Sequence, residues 1–135
     1  MHPINLTALV TLLALLLYMS MVFRVAGARG KSGLKAPAVV GDQTFERHYR
    51  VQMNTLESLP VFLGSLWLFT FYWGEYVAAG LGAVWIIGRT IYMLSYVNDP
   101  KKRGAGFAIQ GVILVVLVAG AFAGVIRALL ATGGL

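Results

Sequence analysis

The chain has no cysteine, and only 12% of its 135 residues are charged. Without cysteine there is no disulfide framework, no thiolate metal site and no protein thiol nucleophile. Any thiol chemistry must use a thiol that arrives with a substrate. A soluble domain of this size carries roughly 25% charged residues. Here 59% of residues are hydrophobic and the mean hydropathy is +0.77, so the expected solvent is the bilayer. Histidine is scarce as well. His2 and His48 have no partners at metal-ligand spacing, and no metal is expected. There is no internal repeat and no low-complexity tail.

The charge present is mostly of one sign, with 11 Lys and Arg against 5 Asp and Glu, a net of +6. These cations are clustered, which favours membrane topology over nucleic-acid binding. No aromatic-interleaved basic surface is present, so no nucleic-acid partner is expected.

Four segments approach the ~20 residues that span a hydrocarbon core. They run from about Ile4 to Phe23, Leu56 to Trp73, Tyr76 to Tyr96 and Ala105 to Leu130. The expected fold is all-α, an integral-membrane four-helix bundle, with residues 1–135 as a single domain. "VAGA" at 25–28 looks like a cleavage site after an apolar run. No Lys or Arg precedes that run, however, and it exceeds the usual core of a signal peptide. It reads as a retained first helix. With no targeting extension ahead of it, a bacterial inner membrane or an endomembrane is expected.

Arg24, Arg29, Lys31, Lys35, Arg47 and Arg50 lie between the first two segments, and Lys101, Lys102 and Arg103 between the last two. The turn "FYWGEY" has none. By the positive-inside rule both basic loops face the cytoplasm. Phe71, Tyr72, Trp73 and Tyr76 then form an aromatic belt at the opposite surface. Lys31, Lys35, Lys101 and Lys102 read as topology and headgroup charges.

Helix 2 should begin well before the membrane, with Thr44 as its N-cap. Arg50, Asn54 and Glu57 then fall at i, i+4 and i+7, within about 60° of one another, and Arg47 extends the stripe outward. Pro60 follows and removes one backbone hydrogen bond. Helix 3 carries Arg89, Tyr92 and Tyr96 on one face. Pro100 should end it near Asn98, so that Arg103 opens helix 4 at the same end. Arg89 lies about two turns into the membrane from Tyr96 and needs an anionic partner, such as Glu57 or a ligand. Gly120 and Gly124 form a small-xxx-small pair that predicts close helix packing.

From spacing alone, two readings stand. Arg50–Glu57 and Arg89 can be interhelical ion pairs that fix the register of a bundle, with Tyr92 and Tyr96 as interfacial anchors. Alternatively, the stripes line a cationic pocket with one carboxylate, two phenols and an amide. Such a pocket suits a ligand with several carboxylates and one ammonium, because arginines fork onto carboxylates. Glutathione has that inventory plus a thiol. Lowering a thiol pKa from about 8.5 by about two units takes roughly 2.7 kcal/mol of differential stabilisation. A neighbouring arginine in a partly dehydrated site can supply it.

"FERHYRVQMNTLESLPVFL" and "GLGAVWIIGRTIYMLSYVNDPKKRG" resemble two signatures of the MAPEG family, the membrane-associated proteins of eicosanoid and glutathione metabolism. "NTLE" and "GLGAVWIIGR" are most similar to the microsomal glutathione S-transferases of the type 3 branch, and "FERHYRVQ" is similar to leukotriene C4 synthase. The resemblance implies a homotrimer with three sites between neighbouring protomers. It implies that Arg29, Arg50, Gln52, Asn54, Glu57, Arg89, Tyr92 and Tyr96 hold glutathione as co-substrate. It also implies that Arg103 stabilises the thiolate, while a lipophilic electrophile or lipid hydroperoxide enters from the membrane lipid. Leu59 stands where family members often have an aromatic, and Ser58 where leukotriene C4 synthase has a tyrosine; both touch the acceptor's side of the pocket. The expected function is a membrane-bound glutathione transferase, with glutathione peroxidase activity as a second outcome. The alternative is a non-catalytic lipid-binding or scaffold protein of the same fold. A transporter would need polar residues through the whole bundle, and the outer halves of helices 1 and 4 offer almost none.

Overall fold

The computed structural model describes residues 4–133; His2 lies outside them. Four helices follow one another: α1 (Asn5–Ser32), α2 (Gln43–Trp73), α3 (Glu75–Asn98) and α4 (Gly104–Ala131). A 3-10 turn over Pro100–Lys102 joins the last two.

Local chemistry sets the ends. α1 runs nine residues past Phe23, through "VAGA", because hydropathy marks where a helix leaves lipid and not where it stops. Gly33 ends it in the left-handed region at φ 74°, donating its N–H to the Arg29 carbonyl. α2 starts one turn's edge earlier than expected. Its N-cap is Asp42, not Thr44, and the Asp42 carboxylate accepts from the Phe45 N–H at 2.8 Å. Thr44 sits inside the first turn. α2 then continues through Pro60 to Trp73. α3 stops at Asn98 as the sequence predicts, with Asp99 held extended before the proline. Arg103 is the N-cap residue of α4.

α2 and α3 form the inner pair. Each packs against both α1 and α4, while α1 and α4 flank them. Sequential helices run antiparallel, and only Gly74 separates α2 from α3. The centre of the bundle is Phe62 stacked on Trp85, centroids 3.9 Å apart and planes 7° from parallel. In lipid such packing, not expulsion of water, holds helices together.

The closest backbone approach lies between α3 and α4. A Cβ at Gly106 would strike the Tyr92 backbone and lie 2.8 Å from the Gly88 carbonyl oxygen. Gly120 and Gly124 give the close packing their spacing predicts, between α4 and α2. They are sockets for aromatic side chains of α2: Phe69 sits over Gly120, and Tyr72 over Gly124.

α1, α3 and α4 are each long and apolar enough to cross a membrane. Leu9, Leu12 and Leu16 on α1 and Val115 and Phe122 on α4 point outward, as lipid-facing residues do. α2 is long enough, but Glu57, Ser58, Pro60, Ser65 and Thr70 dilute its apolar half.

Candidate functional site

Antiparallel packing collects nine of the eleven basic residues at one end, where α1 finishes, α2 begins, α3 finishes and α4 begins. The residues singled out by sequence lie at or next to this end, but they divide into three groups.

The first group is a buried relay one level down. Arg89 is only 1% exposed. Its Nη1 donates to Asn54 Oδ1 at 2.6 Å and to Thr55 Oγ1 at 3.4 Å, and its Nη2 donates to Gln110 Oε1 at 2.9 Å. All three acceptors are neutral. The anionic partner expected for Arg89 is therefore replaced by two amides and a hydroxyl, which engage both terminal nitrogens without a second buried charge, while the buried Nε has no hydrogen-bond partner. Arg89 sits behind Asn54, not at the surface. Its guanidinium also lies 5.0 Å from the Tyr92 ring centre. Tyr92 is buried in turn, 5.6 Å from the Tyr96 ring and 6.1 Å from Phe107.

The second group is open. Arg50 and Tyr96 line a cleft of about 640 Å³ together with Arg47, Tyr49 and Glu46. Arg47 has a structural task there. Its Nη1 donates to the Val97 and Asn98 carbonyls at 3.2 and 3.0 Å, capping the C-terminal end of α3. Glu57 stands exposed two turns further along α2, and Arg103 is exposed at the start of α4.

The third group faces away. Arg29 and Gln52 line a separate cleft of about 610 Å³ with Gly30, Gly33 and Leu34. Two residues along a helix turn a side chain by about 200°, so Gln52 and Arg50 point to opposite sides of α2. Arg29 donates to the Ala38 carbonyl at 2.7 Å and stacks over Phe45 at 4.5 Å. Gln52 donates to the Tyr18 hydroxyl at 3.3 Å. Within one chain these two do not meet Arg50, Asn54 or Glu57.

Sequence reasoning missed Gln110. It is 3% exposed, accepts from Arg89 and donates to the Phe107 carbonyl at 3.0 Å. Its signal was a lone amide inside the apolar run "GAGFAIQGVILVVLV". Sequence reasoning also missed an apolar cleft of about 390 Å³ between α2 and α4. Pro60, Val61, Gly64 and Leu68 form one wall and Val118, Ala121 and Phe122 the other. Val61 and Leu68 continue the Glu57 face of α2 into the membrane.

The sequence model of the MAPEG family matches residues 7–123. An uncharacterised protein of Synechocystis sp. is 47% identical over 114 residues, covering 84% of this chain and 83% of that protein. Microsomal glutathione S-transferase 2 of Mus musculus is 38% identical over 113 residues, covering 84% and 77%. Leukotriene C4 synthase of Bos taurus is 34% identical over 116 residues, covering 86% and 77%.

Proposed function

The chain belongs to the MAPEG family, and on that premise we propose that it is an integral-membrane glutathione transferase whose thiolate also reduces lipid hydroperoxides. The observation that carries this reading is the Arg89–Asn54 hydrogen bond beneath the exposed Arg50 and Glu57 and the half-buried Tyr96. It fixes the one amide on the α2 stripe, so that Asn54 presents a set orientation to a peptide ligand.

Arg50 takes a glutathione carboxylate and Glu57 the ammonium, while Asn54 reads an amide and Tyr96 donates its phenol. Arg89, being buried, acts through Asn54 and Tyr92. Arg103 faces the sulfur and favours the ionised form, which matters most as charge localises there. The thiolate then forms a C–S bond to an electrophilic carbon, whose leaving group or opened oxygen takes the electron pair. With a hydroperoxide it attacks the terminal oxygen, the O–O bond breaks and the alkoxide leaves to take a proton as the alcohol; the sulfenic acid so formed condenses with a second glutathione, losing water, to give the disulfide. The apolar cleft next to Glu57 is the approach for a lipophilic acceptor.

The two opposed clefts support a homotrimer. A lone protomer leaves Glu57 exposed beside Val61 and Leu68 at membrane depth, where an uncovered carboxylate is costly. A neighbour that lays its Arg29–Gln52 cleft against this face covers the charge and completes the ligand set. Such a contact joins two different surfaces, which makes a ring where the rotation between neighbours closes; three copies is the closure that the family resemblance implies. α2 is then the fourth span, packed inside the assembly, and the basic end faces the cytoplasm.

The test is steady-state kinetics of Arg103→Ala beside its glutathione affinity. Turnover should collapse while affinity stays within a few fold. Unchanged turnover removes Arg103 from the mechanism.

A further inference from the structure

A third basic cleft, sharing no residue with the glutathione site, opens between the end of α1 and the start of α2. It has a volume of about 540 Å³ and is lined by Arg24, Lys31 and His48, with Gly27 in its wall. Arg29, Arg47 and Arg89 all direct guanidinium N–H groups to protein acceptors. Among the described residues Arg24 and Lys31 do not, and both are exposed. The Asp42 carboxylate also borders the cleft; its Oδ1 accepts the capping hydrogen bond of α2, and its single negative charge stands against the two cations.

The same face of α1 continues into the membrane. Leu9, Leu13, Leu16, Arg24, Gly27 and Lys31 are spaced 4, 3, 8, 3 and 4, multiples of one helical repeat. The three leucines are 52%, 45% and 58% exposed. An apolar track for hydrocarbon thus runs straight up to two unengaged cations at the level where the helix leaves lipid. Basic pockets in that position hold phosphate headgroups.

We infer that this cleft binds the phosphate headgroup of an anionic phospholipid, with an acyl chain along Leu9, Leu13 and Leu16. Arg24 and Lys31 take the phosphodiester oxygens and His48 lies at their back. Burial holds the His48 pKa below 6.5, and Arg24 and Lys31 lower it further, so both cations lie within electrostatic reach of the ring. A neutral lipid satisfies the apolar track and leaves the cations uncompensated. That difference makes the site selective.

The test uses the full-length assembly purified in a neutral detergent, offered dioleoyl phosphatidylglycerol and dioleoyl phosphatidylcholine, with bound lipid counted by native mass spectrometry. Two basic side chains should favour phosphatidylglycerol by about thirtyfold. Arg24→Gln with Lys31→Gln should bring that preference close to one. Lys101→Gln with Lys102→Gln removes the same charge from the same end and should keep it. Gly27→Leu separates the pocket from the charge: a Cβ there meets nothing within 4 Å, so the helix tolerates the side chain while the cleft fills, and the preference should fall with every cation in place. Thermal unfolding of each variant confirms that it is folded. No preference in the wild type overturns the proposal. Equal losses in the two double variants, or full preference in Gly27→Leu, reduce it to diffuse charge and overturn it too. Displacement of the lipid by inorganic phosphate, with phosphate alone protecting the protein, would assign the cleft to a free anion instead.

Discussion

The two ends of the bundle are built from the same helices and handle polar groups in opposite ways. At the end where α2 turns into α3, the polar groups close on one another. Thr7 and Thr70 share a hydrogen bond of 2.9 Å, Glu75 accepts from the Leu6 N–H at 3.0 Å, and Trp73 donates to the Gly120 carbonyl at 2.7 Å. Glu75 caps the positive start of α1 and is itself buried. At the basic end Arg50, Glu57, Arg103, Arg24 and Lys31 are all exposed. A helix bundle needs the first arrangement to stand in lipid. The second leaves these side chains open, as the proposed contacts with ligand, neighbour and headgroup require.

Substitutions sharpen this contrast. The largest effect expected is on turnover: Arg103→Ala should lower it by about a hundredfold, as loss of one preorganised charge-stabilising donor does, with unfolding unchanged. Gln110→Leu should affect both properties. It strips the acceptor from a buried guanidinium and should cost about 1–2 kcal/mol in denaturation. It should also weaken glutathione severalfold, because Arg89 then no longer fixes Asn54; unaltered affinity would mean that the relay is only structural. Glu75→Gln at the closed end should cost about 0.5–1 kcal/mol of stability and leave glutathione binding untouched. If it weakens binding, the two ends are not independent.

The smallest effect is a pH dependence. The folded-state pKa of His48 lies below the usual imidazole value of 6.5, through burial first and then Arg24 and Lys31. The unfolded chain therefore binds more protons as pH falls past that value. His48 contributes stability that is present above 6.5 and is lost as pH drops through its folded pKa. In lipid-free detergent His48→Gln should flatten that part of the denaturation profile, and an unchanged profile would contradict it.

The helices were legible because each apolar run has hard stops, such as Pro100 after Asn98 and Gly74 between two aromatic-rich ends. Their true lengths were less so, since the basic part of α1 up to Ser32 is helical without being apolar. At the site, periodicity placed Arg50, Asn54 and Glu57 on one face, and resemblance supplied the rest. Neither could show that Arg89 turns inward to Asn54 and Gln110. That depends on an α3–α4 approach made possible by Gly106, which carries no charge pattern to read. The opposition of Gln52 to Arg50 was present in the spacing, but its meaning needed the cleft on α1 that Arg29 shares.

The most direct measurement is isothermal calorimetry of glutathione binding to the detergent-purified protein, beside Glu57→Ala and Arg50→Ala. The account predicts binding in the wild type that both variants lose while remaining folded. No heat from the wild type at millimolar glutathione, or full binding in both variants, would contradict it and leave the polar stripes as register contacts in a lipid-binding scaffold.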